Sequence, residues 1–274
     1  MKFDSENQNG AWCPGCGNHL ILLTLKSALE ELGLTSQNTV LVSGIGQAAK
    51  TPQYVRANYF NGLHGRAIPA ATGIKAANEE LNVIVVSGDG DIYGEGGNHF
   101  IHAIRRNPNI TVMVCNNMVY ALTKGQASPT ASSDYVTKMQ PKGVQDETFN
   151  PILTAISQNI SFVARAFCQD REQTKELMKQ AILHKGFSLL DIFQPCVTFN
   201  KINTFPWFKQ NTYYLEGEFN RAQAFEKSLE TDKLPLGVFY KTDRAVFEQN
   251  PPAKLYENKV NKEKLKKVIN IYSI

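Results

Sequence analysis

The sequence has few cysteines, little net charge and no long hydrophobic run. Five cysteines is an odd number, which excludes a complete disulfide framework and favours a reducing compartment. A net charge of +4 is too small for an extended nucleic-acid-binding face, and the apolar segments are too short to span a membrane. The first ten residues, MKFDSENQNG, are polar and unlike a signal peptide. We therefore expect a cytoplasmic protein that binds neither nucleic acid nor membranes.

Apolar segments rich in β-branched residues alternate with helical patterns as far as about residue 200. Such segments are typical of strands that are buried on both faces of a parallel sheet. They predict strands in TVLVSGIG (39–46), LNVIVVSGDGD (81–91), NITVMVCNN (109–117), ISFVARAF (160–167) and FSLLDIFQPC (187–196). Helices are predicted from about Asn18 to Leu32, from Gly97 to Arg106 and over 171–186, with Asn18 as an N-cap and Gly33 as a stop. The alternation predicts an α/β fold with a doubly wound, mostly parallel sheet.

The pattern changes after residue 200. The segment KINTFPWFKQNTYYLEGEFN (201–220) is aromatic and irregular, and a short helix and a proline-containing stretch follow it. We therefore predict an α/β domain over residues 1–200 and an irregular C-terminal arm over residues 201–274. The arm is expected to pack on the domain or on a partner subunit.

Two polar motifs follow neighbouring strands of the predicted sheet. Asp89 stands between two glycines in VSGDGD, and Asn117 ends the next predicted strand in VCNN. Ligands of open α/β sheets bind at the carboxyl ends of the strands, so these side chains should lie at one site. A carboxylate, an amide oxygen and a backbone carbonyl suit Mg²⁺ that also binds a diphosphate. The alternative interpretation of Gly-Asp-Gly is an ordinary turn.

Six separated motifs resemble the β subunits of 2-oxoacid:ferredoxin oxidoreductases. They are WCPGCGNH, VSGIG, LHGRAIPAATGIK, GDGDIYGEGGNHF, NNMVYALTKGQASPT and QPCVTFN, in that order. The resemblance implies a sheet of the thiamine diphosphate-binding type. It also implies oxidative decarboxylation of a 2-oxoacid to acyl-CoA and CO₂, with electrons passed through an iron–sulfur cluster to ferredoxin. An α or αγ partner would supply the glutamate that assists the cofactor, so no catalytic side chain is assigned to this chain.

The resemblance also implies roles for particular residues. The side chains of Asp89 and Asn117 and the backbone carbonyl of Val119 would bind Mg²⁺. Lys50 and Lys124 are candidate contacts for the substrate carboxylate or coenzyme A. The loop CPGCGN opens a helix whose amides suit an anion, so Gly15 and Cys16 join the cofactor set. The other residues expected along the thiamine diphosphate are His64, Gly88, Gly90 and Asp91.

One expected cluster ligand is replaced. In the family, four cysteines hold the iron–sulfur cluster; here Cys13, Cys16 and Cys196 match, but Gln47 occupies the fourth position. The sequence leaves open a [4Fe–4S] cluster with an outside ligand, a [3Fe–4S] cluster, no cluster, or a zinc site completed by His19 or a partner. A catalytic dithiol at the Cys-x-x-Cys pair is a further alternative. The other two cysteines, Cys115 and Cys168, lie in apolar strand patterns and should pack in the core.

Three functions follow from these observations. The first is the oxidoreductase β subunit. The second is a thiamine-dependent decarboxylase, or an oxidoreductase with another acceptor, that lacks the cluster. The third is a non-catalytic assembly subunit, which the intact set of predicted metal ligands disfavours. The sequence does not distinguish among 2-oxoacids.

Overall fold

The structure is a computed structural model, which describes residues 2–6 and 10–249. Its strands are β1 (Thr39–Ser43), β2 (Asn58–Asn61), β3 (Asn82–Gly88), β4 (Thr111–Asn116), β5 (Val119–Tyr120), β6 (Gln126–Ala127), β7 (Phe162–Phe167), β8 (Ser188–Phe193), β9 (Thr212–Tyr214) and β10 (Leu234–Lys241). Its α-helices are α1 (Gly17–Glu31), α2 (Ala67–Ala77), α3 (Gly97–Arg106), α4 (Pro151–Ser157), α5 (Arg171–Leu183), α6 (Phe205–Asn211) and α7 (Arg221–Ser228).

A sheet of eight strands runs in the order β2-β1-β3-β4-β8-β7-β10-β9. The five strands predicted from the sequence are β1, β3, β4, β7 and β8, and they pair in parallel with their neighbours in this set. The predicted α/β fold with a mostly parallel sheet is therefore confirmed. The short, exposed β2 was not predicted, because its sequence NYFN carries no buried pattern.

Helices cover both faces of the sheet, and each face has its own hydrophobic core. The central strand β3 shows the alternation: Ile84 and Val86 belong to the core under α1 and α5, while Val83 and Val85 belong to the core under α2 and α3. Side chains of successive strand residues point to opposite faces, so a strand buried on both sides must be apolar throughout. This explains why the strand segments read as continuous apolar runs.

Helix α1 begins one residue earlier than predicted, and its cap differs. Cys16 is the N-cap, with extended backbone angles and no side-chain cap, so the prediction that Asn18 caps the helix is wrong. Asn18 lies inside the first turn instead, where 1% of it is exposed. The predicted stop is confirmed, since Gly33 has φ 66° and its amide bonds to Glu30, as expected for a left-handed residue that closes a helix.

The segment after residue 200 contributes to the sheet. Strand β10 runs antiparallel to β7, and β9 runs parallel to β10 at the edge. Helix α7 packs on β10 and α4. The rest of the predicted arm, residues 250–274, lies outside the described residues, and the boundary at residue 200 stays a prediction. No helix in the described part of the chain is long and apolar enough to cross a membrane.

Candidate cofactor site

The carboxyl ends of β1, β3 and β4 border a cleft with about 460 Å³ of free space, which we call the aspartate cleft. Parallel neighbouring strands bring their following loops to the same edge of the sheet. Seven of the residues predicted to bind the cofactor line this cleft: His64, Gly88, Asp89, Gly90, Asp91, Asn117 and Val119. Residues separated by more than fifty positions thus line one cleft, and the strand pattern predicted this for Asp89 and Asn117.

Asp89 is a buried carboxylate of this cleft, with 2% of its surface exposed. Thr130 Oγ1 lies 2.7 Å from Asp89 Oδ2, and the Ser128 hydroxyl also bonds to this carboxylate. Burial raises the pKa of Asp89 to about 6, although both hydroxyl groups lower it. A buried carboxylate is costly unless a cation compensates its charge. The setting of Asp89 therefore fits a bound metal ion.

Asn117 enters the same cleft from the end of β4, the next strand in the sheet. Its Oδ1 accepts a hydrogen bond from the Val119 amide at 3.0 Å, and its backbone carbonyl accepts one from Asn200 Nδ2 at 3.2 Å. Met118, between Asn117 and Val119 in the chain, has φ 59°, a left-handed conformation that is strained for a bulky side chain. The turn is thus held tightly, and the amide oxygen has a second lone pair that can bind a cation.

Asp91 borders the cleft, but its carboxylate binds the protein itself. Asp91 Oδ1 accepts hydrogen bonds from the amides of Ile45 at 3.0 Å and Gly65 at 2.8 Å, and its Oδ2 accepts one from Ser87 Oγ at 2.8 Å. These bonds fasten the loops after β1 and β2 to the end of β3. The geometry makes Asp91 a support for the cleft wall, and its predicted contact with the diphosphate stays a prediction.

His64 lies at the rim of the cleft, with about a third of its side chain exposed. Its Nδ1 is 3.1 Å from Asp91 Oδ1 and 3.4 Å from Glu95 Oε2, close enough for charge attraction without the alignment of a hydrogen bond. A protonated His64 would therefore face two carboxylates. This position is open to a ligand in the cleft, and the contact of His64 with the cofactor phosphates stays a prediction.

Gly90 is required by the packing of a neighbouring ring. A Cβ atom on Gly90 would lie 2.2 Å from Tyr120 Cε1, whereas one on Gly88 would meet no atom within 4 Å. Tyr120 follows Val119 in β5, and its hydroxyl donates to Glu95 Oε2 at 3.1 Å. The absence of a side chain at Gly90 thus lets β5 lie against the turn that carries Asp89.

A buried polar network, which was not predicted from the sequence, supports Asp89 from below. Thr130 Oγ1 lies 2.8 Å from Asn116 Oδ1, and Asn116 Nδ2 donates to Asp191 Oδ1 at 3.1 Å. Asp191 also accepts hydrogen bonds from Tyr93 at 3.0 Å and from Arg165 Nε at 3.2 Å. Burial raises the pKa of Asp191, and the Arg165 charge opposes that rise. A signal was present in the sequence, since Arg165 and Asp191 are charged residues within predicted buried strands.

Cys13, Cys16 and Cys196 line a second cavity of about 420 Å³, which we call the thiol cavity. It lies beside the aspartate cleft, and Gln47, Asn117 and Ala121 line both. A donor approaches each sulfur: Thr198 Oγ1 lies 3.0 Å from Cys13 Sγ, Gln194 Nε2 3.5 Å from Cys16 Sγ and the Phe199 amide 3.5 Å from Cys196 Sγ. The structure thus brings together the three cysteines that the sequence motifs indicated.

The thiol cavity does not suit a single metal ion. Burial raises the pKa of the Cys16 thiol to about 11, and the catalytic dithiol stays an open alternative. Within residues 2–6 and 10–249, no three His, Cys, Asp or Glu side chains form a group able to hold one metal ion. The ring of His19 packs edge-on against Trp12, at 5.2 Å between centroids. These contacts disfavour the zinc alternative.

Several predicted residues lie outside the aspartate cleft. Cys16 faces the thiol cavity, and Gly15, with φ 79°, lies in the loop before it. Lys50 is near the backbone of Ala11, with 3.4 Å between Nζ and the carbonyl oxygen, and Lys124 occupies the turn between β5 and β6. The cofactor and substrate contacts of these four residues stay predictions. The expectation that Cys115 and Cys168 pack in the core is confirmed.

Comparisons with known proteins identify the family of this chain. The family described as thiamine pyrophosphate enzyme, C-terminal TPP binding domain, matches residues 35–192, and the family described as the C terminal of the pyruvate ferredoxin oxidoreductase beta subunit matches residues 196–254. The chain is 43% identical over 271 residues to the 2-oxoacid:ferredoxin oxidoreductase subunit beta of Saccharolobus solfataricus, covering 88% of this chain and 89% of the relative. It is 46% identical over 199 residues to the 2-oxoglutarate oxidoreductase subunit KorB of Mycobacterium tuberculosis, covering 73% of this chain and 53% of the relative.

A solved structure gives the same fold. The 2-oxoglutarate:ferredoxin oxidoreductase from Magnetococcus marinus, with 2-oxoglutarate, coenzyme A and succinyl-CoA bound, has a TM-score of 0.90 and 35% identity, covering 100% of this chain and 97% of the other. The predicted family is confirmed, and a β subunit implies a partner α subunit. This chain belongs to the β subunits of the thiamine diphosphate-dependent 2-oxoacid:ferredoxin oxidoreductases.

Proposed function

We propose that the aspartate cleft binds Mg²⁺ and thiamine diphosphate in an enzyme that oxidises 2-oxoglutarate with coenzyme A and ferredoxin. The observation that carries the cofactor proposal is that Asp89 and Asn117, from neighbouring strand ends, line one cleft and are both fixed by buried hydrogen bonds. Relatives named for 2-oxoglutarate support the substrate. A cytoplasmic location stays a prediction.

The residues of this chain fit the metal and the diphosphate. A carboxylate, an amide oxygen and the Val119 carbonyl form the set of hard oxygen ligands that Mg²⁺ prefers, and the cost of burying Asp89 is offset when a cation binds. His64, at the rim, is placed to donate to a phosphate oxygen. When bound, thiamine diphosphate supplies the nucleophilic carbon and the electron sink that decarboxylation of a 2-oxoacid requires. This chain orients the cofactor, and the partner α subunit is expected to supply the assisting glutamate.

The thiol cavity fits an iron–sulfur cluster with three protein thiolates. Each sulfur has a nearby N–H or O–H donor, and such hydrogen bonds stabilise the thiolates of clusters. Asn18, with 1% of its surface exposed, lines the cavity and has no hydrogen-bond partner for its side-chain oxygen or nitrogen in the described residues. In a cluster each thiolate binds a different iron, so the three sulfur atoms lie farther apart than the ligands of a single metal ion do. We propose that Cys13, Cys16 and Cys196 hold a cluster that passes electrons to ferredoxin.

The replacement at position 47 supports a second candidate function. Without a cluster, the same cleft would serve a decarboxylase, or an oxidoreductase with another acceptor. A decarboxylase would release an aldehyde and would need neither coenzyme A nor ferredoxin.

The anaerobically purified complex with its α subunit separates these functions. Ferredoxin reduction is measured with 2-oxoglutarate or pyruvate, each with and without coenzyme A. We expect reduction that requires coenzyme A and is at least about tenfold faster in kcat/KM with 2-oxoglutarate, a difference of about 1.4 kcal/mol. Equal rates with pyruvate would contradict the substrate. Release of an aldehyde without ferredoxin reduction would favour the decarboxylase.

A further inference from the structure

Gln47 lies where the two cavities meet. It follows β1, and it lines both the thiol cavity and the aspartate cleft. Trp12 Nε1 donates to the Gln47 backbone carbonyl at 2.8 Å, which fixes the residue beside Cys13. The fourth corner of a cluster in the thiol cavity would therefore be the corner beside the cofactor.

The side-chain oxygen of Gln47, Oε1, is buried and has no hydrogen-bond partner in the described part of the protein. An amide oxygen is a hard, neutral donor, whereas iron in a sulfide cluster prefers soft thiolates. The chain thus offers three strong ligands and one weak one.

We propose that the cluster of this chain has one labile iron, at the corner beside Gln47, whose outer ligand is water or hydroxide rather than a protein thiolate. This rests on the proposed iron–sulfur function. A one-electron oxidant converts such a cluster by the step [4Fe–4S]²⁺ → [3Fe–4S]⁺ + Fe²⁺ + e⁻, and the oxidant takes the electron. The three irons bound by Cys13, Cys16 and Cys196 stay in place. The iron that is lost is the one beside Gln47, at the side of the cluster that faces the aspartate cleft.

The test compares the wild-type complex with two variants. Each complex is purified anaerobically with its α subunit, reconstituted with iron and sulfide, and treated with ferricyanide, which accepts the electron. Gln47→Cys supplies the missing thiolate, and Gln47→Ala removes the amide. Iron, sulfide and thiamine diphosphate are quantified, and EPR spectra are recorded before and after treatment.

We expect the wild type and Gln47→Ala to lose one iron of four and to gain the EPR signal of an oxidised three-iron cluster. Ferrous iron with a thiol reductant should reverse the change. Gln47→Cys should keep its four irons and stay EPR-silent. If the wild-type complex also keeps four irons, the proposal of a labile iron is wrong, but the proposal of a cluster is not. If iron and sulfide are absent from both the wild type and Gln47→Cys, the proposal of a cluster is wrong as well. A normal thiamine diphosphate content in the same samples would support the proposed cofactor site independently.

Discussion

At the scale of single residues, the sequence predicts a ligand when the ligand follows a strand. Asp89 and Asn117 were predicted because each ends a buried apolar run, and parallel strands bring such ends together. The bonds of Asp91 were not predicted, because its partners are amides of Ile45 and Gly65 on loops that are distant in sequence. Every residue except proline has a backbone N–H that can donate, so the sequence does not show which residues donate to Asp91.

Thr130 offers a test of the support around Asp89. Thr130→Val removes the hydroxyl that lies 2.7 Å from Asp89 Oδ2 and 2.8 Å from Asn116 Oδ1. The hydroxyl donates one hydrogen bond at a time, and leaving one buried acceptor without its donor costs about 1–3 kcal/mol. We also expect about a 10–100-fold loss of Mg²⁺ affinity, as for outer-shell partners of metal ligands. Isothermal titration of the complex with Mg²⁺ at saturating thiamine diphosphate measures the loss of Mg²⁺ affinity.

Thr130→Ser is the matched control, because it keeps the hydroxyl and loses a methyl group. Its Mg²⁺ affinity should stay close to that of the wild type. A valine variant that binds Mg²⁺ as tightly as the serine variant would show that the hydroxyl does not orient Asp89.

At the scale of elements, boundaries follow local chemistry, and side-chain roles follow tertiary packing. Helix α3 was predicted at its observed ends, because the Asn107-Pro108 pair marks its stop. The role of Asn18 was not predictable: a polar residue before an apolar helix is typical of a cap, but here it lines the thiol cavity. The same holds for Gly90, whose partner Tyr120 lies thirty positions away.

The glycines around Asp89 distinguish packing from turn flexibility. Gly90→Ala places a Cβ 2.2 Å from the Tyr120 ring, so β5 or the ring must move, at a cost of about 1–3 kcal/mol. Because Val119 precedes Tyr120, thiamine diphosphate affinity should fall as well. Thermal unfolding of the cofactor-free complex measures the first effect.

Gly88→Ala serves as the control for stability, since its Cβ would have no neighbour within 4 Å. We expect the unfolding temperature of this variant to stay close to that of the wild type. Equal destabilisation by both substitutions would mean that backbone freedom, rather than the Tyr120 contact, explains the glycines.

At the scale of the whole molecule, one buried ion pair connects strand β10 with the polar network beneath the aspartate cleft. Arg165 on β7 pairs with Asp191 on β8, and its guanidinium lies 5.0 Å from the Phe193 ring and 5.5 Å from the Phe239 ring on β10. The sequence predicts only an arm after residue 200, because two strands added to a sheet edge leave a weak alternating pattern.

Removing one partner of this pair should destabilise the molecule more than removing both. Arg165→Met leaves a fully buried carboxylate uncompensated, which costs about 3–5 kcal/mol. The double variant Arg165→Met/Asp191→Asn should recover part of that loss. Denaturant unfolding of the cofactor-free complex gives both values. A single variant within about 1 kcal/mol of the wild type would contradict the importance of this pair.

The central claim is that Asp89 and Asn117 hold the metal that anchors thiamine diphosphate. The most direct measurement is the affinity of the assembled complex for thiamine diphosphate, with Mg²⁺ and with a chelator, in the wild type and in Asp89→Asn. We predict that the wild type needs the metal and that the variant loses at least about 100-fold in affinity, the upper end for outer-shell changes. An Asp89→Asn complex that binds thiamine diphosphate with wild-type affinity and the same Mg²⁺ dependence would contradict the account.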